Sequence, residues 1–180
     1  MLNFEIINPT RIVFGKEQLH RLPELCAEFS PSRKILIAYG GGSIKSTGLL
    51  KKITDQLKDF EITEFGGIEA NPQFSTLMRG VDLAKDKGID FILAVGGGSV
   101  IDGVKFMTGA FHYNGDPWDV LDRKDGCIFE SALPFGTILT LPATGSEANS
   151  GAVISRSELK EKRTMGGPLF FPKFSFCDPT

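Results

Sequence analysis

The chain has 180 residues and a formal net charge of −2, from 20 Lys+Arg against 22 Asp+Glu. That length suits one domain or part of something larger, and 41% hydrophobic with 23% charged residues rules out intrinsic disorder. The balanced charge, without a basic block, argues against nucleic acid or a membrane as partner, and no apolar run approaches the ~18 residues of a membrane span.

The first five residues lack the basic start of a signal peptide, so a cytoplasmic protein is expected. Glycine is abundant, 21 residues of 180, against a usual ~7%. Metal ligands are scarce. The two histidines, His20 and His112, and the three cysteines, Cys26, Cys127 and Cys177, form no C-x-x-C, H-x-x-x-H or H-E-x-x-H pattern.

Residues 4–7 and 11–14 read as two short strands joined by Asn8, Pro9 and Thr10, an N-terminal β-hairpin. Leu19, Leu22, Leu25, Cys26 and Phe29 follow at helical spacing, with Pro23 predicting a break or a late helix start. A buried strand over 35–39 stops at Gly40, Gly41, Gly42 and Ser43. An amphipathic helix follows, with Leu49, Leu50, Ile53 and Leu57 on one side and Lys51, Lys52, Asp55 and Lys58 on the other. Residues 60–65 alternate as a strand. Residues 73–87 read as a helix closed by Gly88. A second buried strand, 91–95, runs into Gly96, Gly97, Gly98 and Ser99 and a helix through Val100, Val104, Met107 and Phe111.

The chain thus repeats itself: ILIAYGGGS at 35–43 and FILAVGGGS at 91–99 align without a gap. Strand, glycine loop and helix in alternation predict an α/β fold, a Rossmann-like and mainly parallel sheet with flanking helices. Farther on, Asp116 and Pro117 mark a helix start. Residues 137–141 form another buried strand, 152–155 and 162–165 a polar hairpin, and 174–177 a last strand. A chain ending on a strand and a turn suggests that more polypeptide follows.

A glycine loop between a buried strand and a helix lets backbone approach a pyrophosphate and aims helix N–H groups at it; its alternative is a tight turn that needs glycine only for its angles. Two aligned copies favour nucleotide binding. The G-x-G-x-x-G fingerprint is not met, because Ile101 stands at the third glycine position. Asp102 either complements the helix dipole or bonds a ribose near the reacting centre. No acid follows Tyr39, where one would select NAD; Ser43 and the nearby Lys45 instead suggest a phosphate receptor and NADP(H). Thr144, Gly145, Ser146 and Glu147 fit a capping box, hence a helix start, although Thr140 and Thr144 share one cleft. Lys160, Lys162 and Arg163 read as a solvated hairpin tip.

Asn8, Pro9, Thr10 with Phe14, Gly15; GGGS at 40–43; Asn71, Pro72; GGGSVID at 96–102; LTLPATGSEAN at 139–149; and Cys177, Asp178, Pro179 resemble the iron-dependent (group III) alcohol dehydrogenase family, in its NADP(H)-using butanol dehydrogenase and aldehyde reductase branch. The resemblance covers essentially all 180 residues. It implies that Gly41, Gly42 and Ser43 meet the adenosine 2′-phosphate and that Gly97, Gly98 and Ser99 hold the pyrophosphate. It also places Asp102 near the nicotinamide ribose and substrate, Thr140 and Thr144 in the adenine and ribose pocket, and Asn71 and Lys162 at the edge of the cofactor cleft. The implied enzyme is a homodimer, through residues 1–15, that interconverts small primary alcohols and aldehydes.

Members of that family are about twice as long. Their helical C-terminal domain supplies one Asp and three His to Fe²⁺ or Zn²⁺, and this chain contains no counterpart of that set. Residues 1–180 are therefore expected to be the dinucleotide-binding half, inactive alone. Two other readings are a non-catalytic nucleotide-binding module and a relative of glycerol dehydrogenase or dehydroquinate synthase.

Overall fold

The computed structural model describes residues 3, 5, 7–121 and 129–179. Five strands form the body of a parallel sheet: β2 (Lys34–Tyr39), β3 (Glu61–Phe65), β4 (Phe91–Gly97), β5 (Phe135–Leu141) and β8 (Phe174–Cys177). Their spatial order is β3-β2-β4-β5-β8, and β1 (Arg11–Phe14) is added outside β8. Counted from β2, this is the doubly wound order 2-1-3-4-5, whose direction reverses between β2 and β4. Every pairing in this sheet is parallel, so all the carboxyl ends share one rim.

Both faces are covered, which explains why β2 and β4 read as unbroken apolar runs. On one face, Ile35, Ile37, Phe91, Leu93 and Val95 pack against Leu22 and Leu25 of α1 (Leu22–Phe29) and Ile53 of α3 (Leu49–Gln56). On the other, Leu36, Ala38, Ile92 and Ala94 meet Leu77 and Val81 of α4 (Phe74–Asp86) and Ile101 and Val104 of α5 (Gly98–His112). The antiparallel pair β6 (Ala152–Arg156) and β7 (Glu161–Met165) adds Ile154 and Met165 to this second core. No described helix is long and apolar enough to cross a membrane.

The late start forced by Pro23 is present: a 3₁₀ turn over Gln18–Arg21 precedes α1, and Pro23 lies in its first turn. Asp116 caps a 3₁₀ turn, Pro117–Val120, by accepting from the Trp118 N–H at 2.9 Å.

Two expectations need correction. β1 joins the main sheet parallel to β8, from Arg11↔Phe174 to Phe14↔Cys177, and forms no hairpin among the described residues. Glu5 and Ile7 carry no strand, while Phe4 and Ile6 of the other expected strand lie outside the described residues. The segment at Thr144 starts no helix. Thr144 Oγ1 still accepts locally from the Ser146 N–H at 3.3 Å, but Gly145 turns to φ +71° and the Ser146 hydroxyl reaches Asp102 at 2.8 Å, so the chain leaves the helical path.

Candidate cofactor-binding site

The two glycine loops stand side by side because β2 and β4 are neighbours in register, Tyr39 opposite Val95. They occupy the carboxyl rim where the strand order reverses, the crevice in which open α/β sheets take ligands. Gly42 adopts φ +99° as the chain turns into α2 (Ser43–Ser46). A Cβ on Gly41 or Gly42 would meet nothing within 4 Å, so this loop faces open space. At the second loop, α5 begins directly after Gly97 and runs for 15 residues, presenting its N-terminal dipole to the crevice.

A cavity of about 660 Å³ opens between the loops, lined by Ser43, Thr47, Lys52, Gly97, Thr140 and Asp178 among others. Ser43, Gly97 and Thr140 are thereby brought together. Thr144 stands elsewhere: its side chain covers Gly98, where any Cβ would collide with it. Asn71, at φ +59°, donates its backbone N–H to the Ser99 hydroxyl at 3.4 Å. The Lys162 ammonium reaches Asn71 Oδ1 at 2.8 Å. Asn71, Ser99 and Lys162 therefore form one group beside the α5 N-terminus.

Lys162 is held there by its neighbours. The Arg163 guanidinium lies 4.7 Å from the Trp118 ring centroid and donates to the Trp118 carbonyl at 2.9 Å. Arg156 stacks 4.6 Å over Phe74 and 5.5 Å from Trp118. The expected solvated hairpin tip is thus anchored at Arg163.

Asp102 is engaged on both oxygens, by the Ser146 hydroxyl at 2.8 Å and the Val153 N–H at 3.1 Å. Burial raises its pKa, opposed in turn by those two hydrogen bonds and by the Lys105 charge. Its observed role is to hold the 144–153 segment; it does not act merely as a dipole partner. Lys45 does not face the cavity. Its ammonium pairs with Glu64 at 3.1 Å and lies 5.2 Å from the Tyr39 ring centroid; hydrogen bonding to Tyr39 and then Glu64 raises its pKa.

Three residues escaped the sequence reading. Lys52 lines the cavity that Lys45 was expected to serve. Ser146 is the partner of Asp102. Lys105 is buried, and its signal was a lone cation in the apolar run VIDGVKFM, one turn past Asp102.

His20 and His112 are both exposed. Among the described residues no group of three or more His, Cys, Asp or Glu converges as a metal site, and the protein donors already held by both Asp102 oxygens do not suit a metal ligand.

A doubly wound parallel sheet with glycine loops at its switch point defines a Rossmann-like domain. Residues 9–179 match the family described as iron-containing alcohol dehydrogenase, and the chain belongs to it. It is 50% identical over 182 residues to the probable NADH-dependent butanol dehydrogenase 1 of Bacillus subtilis, covering 99% of this chain and 46% of that protein. It is 47% identical over 181 residues to the NADPH-dependent aldehyde reductase YqhD of Escherichia coli, covering 99% and 46%. The crystal structure of E. coli YqhD superposes with a TM-score of 0.90 at 47% identity, covering 98% of this chain and 45% of that one. NADH-dependent butanol dehydrogenase A of Thermotoga maritima gives a TM-score of 0.88 at 38% identity, covering 98% and 44%. The chain spans about half the length of the relatives it matches.

Proposed function

We propose that these residues are the dinucleotide-binding part of an NADP(H)-dependent oxidoreductase that interconverts small primary alcohols and aldehydes. The observation that carries this reading is the pair of adjacent glycine loops at the switch point, one open to phosphate and the other leading into a 15-residue helix. The nicotinamide, when bound, supplies the hydride chemistry. The chain's own residues supply binding and orientation: Gly97, Gly98 and Ser99 would take the pyrophosphate, Thr140 would face the adenine end, and Asn71 with Lys162 would close the cleft over a ribose.

The preference for NADP(H) rests on this chain's residues, because similar relatives are named for either cofactor. β2 runs into three glycines and a serine, with no carboxylate among them to repel a 2′-phosphate. Gly41 and Gly42 leave room for that group, and Ser43 offers a hydroxyl donor. Lys52 adds a cation to the same cavity, where the Asp178 carboxylate accepts from the Glu17 N–H. The described residues do not fit a metal ion, so no step here is assigned to one.

The protein is also proposed to pair as a homodimer through β1, whose outer edge is unpaired among the described strands. Ile12 is 47% and Phe14 71% exposed there, an apolar edge that a second copy would cover.

Titrating NADPH and NADH separately by calorimetry tests the cofactor reading. NADPH is expected to bind at least about tenfold more tightly, a difference of ~1.4 kcal/mol. Equal affinities, or tighter NADH, overturn the preference.

A further inference from the structure

Helix α5 turns two charged side chains toward the segment between β5 and β6, Asp102 and, one turn later, Lys105. Lys105 is 0% exposed. Its ammonium donates to Asn149 Oδ1 at 2.9 Å and to the Gly151 carbonyl at 2.8 Å. A lysine stem ordinarily lets its charge reach water, and a buried ammonium is costly unless partnered. Here the compensation is the two acceptors together with the Asp102 and Glu147 carboxylates, both of which act on Lys105. Glu147 Oε2 is buried without a hydrogen-bond partner, so Lys105 is a cation that answers it through space.

The core makes no demand for this charge. α5 packs through Val100, Ile101, Val104, Phe106 and Met107, and an uncharged side chain would bury the same stem. The charge instead frames a turn. Asp102 holds Ser146 and Val153, while Lys105 holds Asn149 and Gly151. The turn lies outside any helix or strand and has one short backbone bond of its own, Ala148 N–H to the Gly145 carbonyl at 2.9 Å. Its first member, Thr144, covers Gly98 at the start of α5.

We propose that Lys105 is a positioning residue of the cofactor site, holding the 144–151 turn where Thr144 borders Gly98 and leaves the crevice open to a dinucleotide. Its charge also opposes, after the Ser146 and Val153 hydrogen bonds, the rise in pKa that burial imposes on Asp102. The inference rests on the dinucleotide reading above.

The test is K105M, of similar length but without charge or donors, in the 180-residue chain. NADPH affinity is expected to fall about tenfold or more. The ¹³C titration of the Asp102 carboxyl is expected to move to higher pH, and amides 146–151 to exchange faster with solvent. A residue that merely supported the fold would lower stability without changing the NADPH affinity of the folded chain or the exchange of amides 146–151. Parent-like affinity overturns the proposal, whatever the Asp102 titration does. If K105M does not fold, N149A removes one acceptor and leaves the lysine; a severalfold loss of affinity supports the proposal, and unchanged affinity overturns it. If the parent chain binds neither NADPH nor NADH, the cofactor reading fails, and the exchange of amides 146–151 still decides the role of Lys105.

Discussion

Glu64, at the end of β3, holds the Lys45 ammonium at 3.1 Å, and the same carboxylate oxygen accepts from the Tyr39 hydroxyl at 3.0 Å. The cation nearest the first glycine loop in sequence is thereby tied to the edge of the sheet. Lys52, one helix later, faces the cavity in its place.

The two lysines therefore separate in a simple experiment. K45M is expected to change the ratio of NADPH to NADH affinity by less than about twofold, as suits an exposed ion pair away from the ligand. K52M is expected to weaken NADPH several-fold and leave NADH unchanged. Parallel titrations of both variants check this, and adding salt should erode NADPH binding more in the parent than in K52M.

Gly41→Asp probes the same loop from the other side. Because a Cβ there meets nothing within 4 Å, the fold accepts the side chain, and its effect is electrostatic. NADPH affinity should drop by about 1–3 kcal/mol through the unpaired like charge, while NADH binding is retained. Fluorescence titration of the reduced cofactors measures both.

The contact of Thr144 with Gly98 makes a prediction about stability. Gly98→Ala should destabilise by about 1–3 kcal/mol, because the new methyl displaces the Thr144 side chain. Adding Thr144→Ala removes the two closest atoms, Oγ1 and Cγ2, and leaves only Cβ at 3.1 Å, so the double variant should recover most of the loss. Urea denaturation of the four-member cycle gives the coupling energy directly.

Lys105 has a pH signature. Burial pushes its pKa down to about 8, from an ordinary value of 10.5. Below pH 8 both the folded and unfolded chains carry the proton, and the full cost of burying the charge is present. Between about 8 and 10.5 the folded chain has released a proton that the unfolded chain keeps, so this residue makes stability rise with pH. Cys26 acts in the opposite sense: burial raises its thiol from 9.0 to about 12, so its contribution falls as pH climbs above 9. Urea melts of the parent and K105M between pH 7.5 and 9 isolate the lysine, and the parent should gain stability over that interval relative to the variant.

Much of the architecture was legible because its signals are local. β2 and β4 are uninterrupted apolar runs, α3 has a clean polar face, and the duplicated GGGS loops mark the switch point. What stayed hidden depends on distant partners. Nothing near Arg11 or Phe14 announces that their strand lies beside Phe174 and Cys177. The capping pattern at Thr144 starts no helix, because Gly145 turns left-handed and Ser146 beyond it bonds Asp102, a residue far back in the chain. Lys45 is adjacent to the loop in sequence, yet its side chain is claimed by Glu64. Lys105 was visible only as a cation on an apolar helix, and its inward path is set by Asn149 and Gly151.

The pairing of β1 with β8 carries a consequence for how the molecule is made. Residues 11–14 are synthesised early, but their partner, 174–177, exists only after every other strand of the sheet has been produced. Loop closure over such a span is slow compared with the short-range contacts among β2, α3 and β3. The two glycine loops at the ends of β2 and β4 can therefore take shape while β1 is still unattached, whereas the cavity between them, lined also by Thr140 and Asp178, is completed only with the last strands. Val13, the one residue of β1 that the finished sheet buries, stays uncovered during that interval.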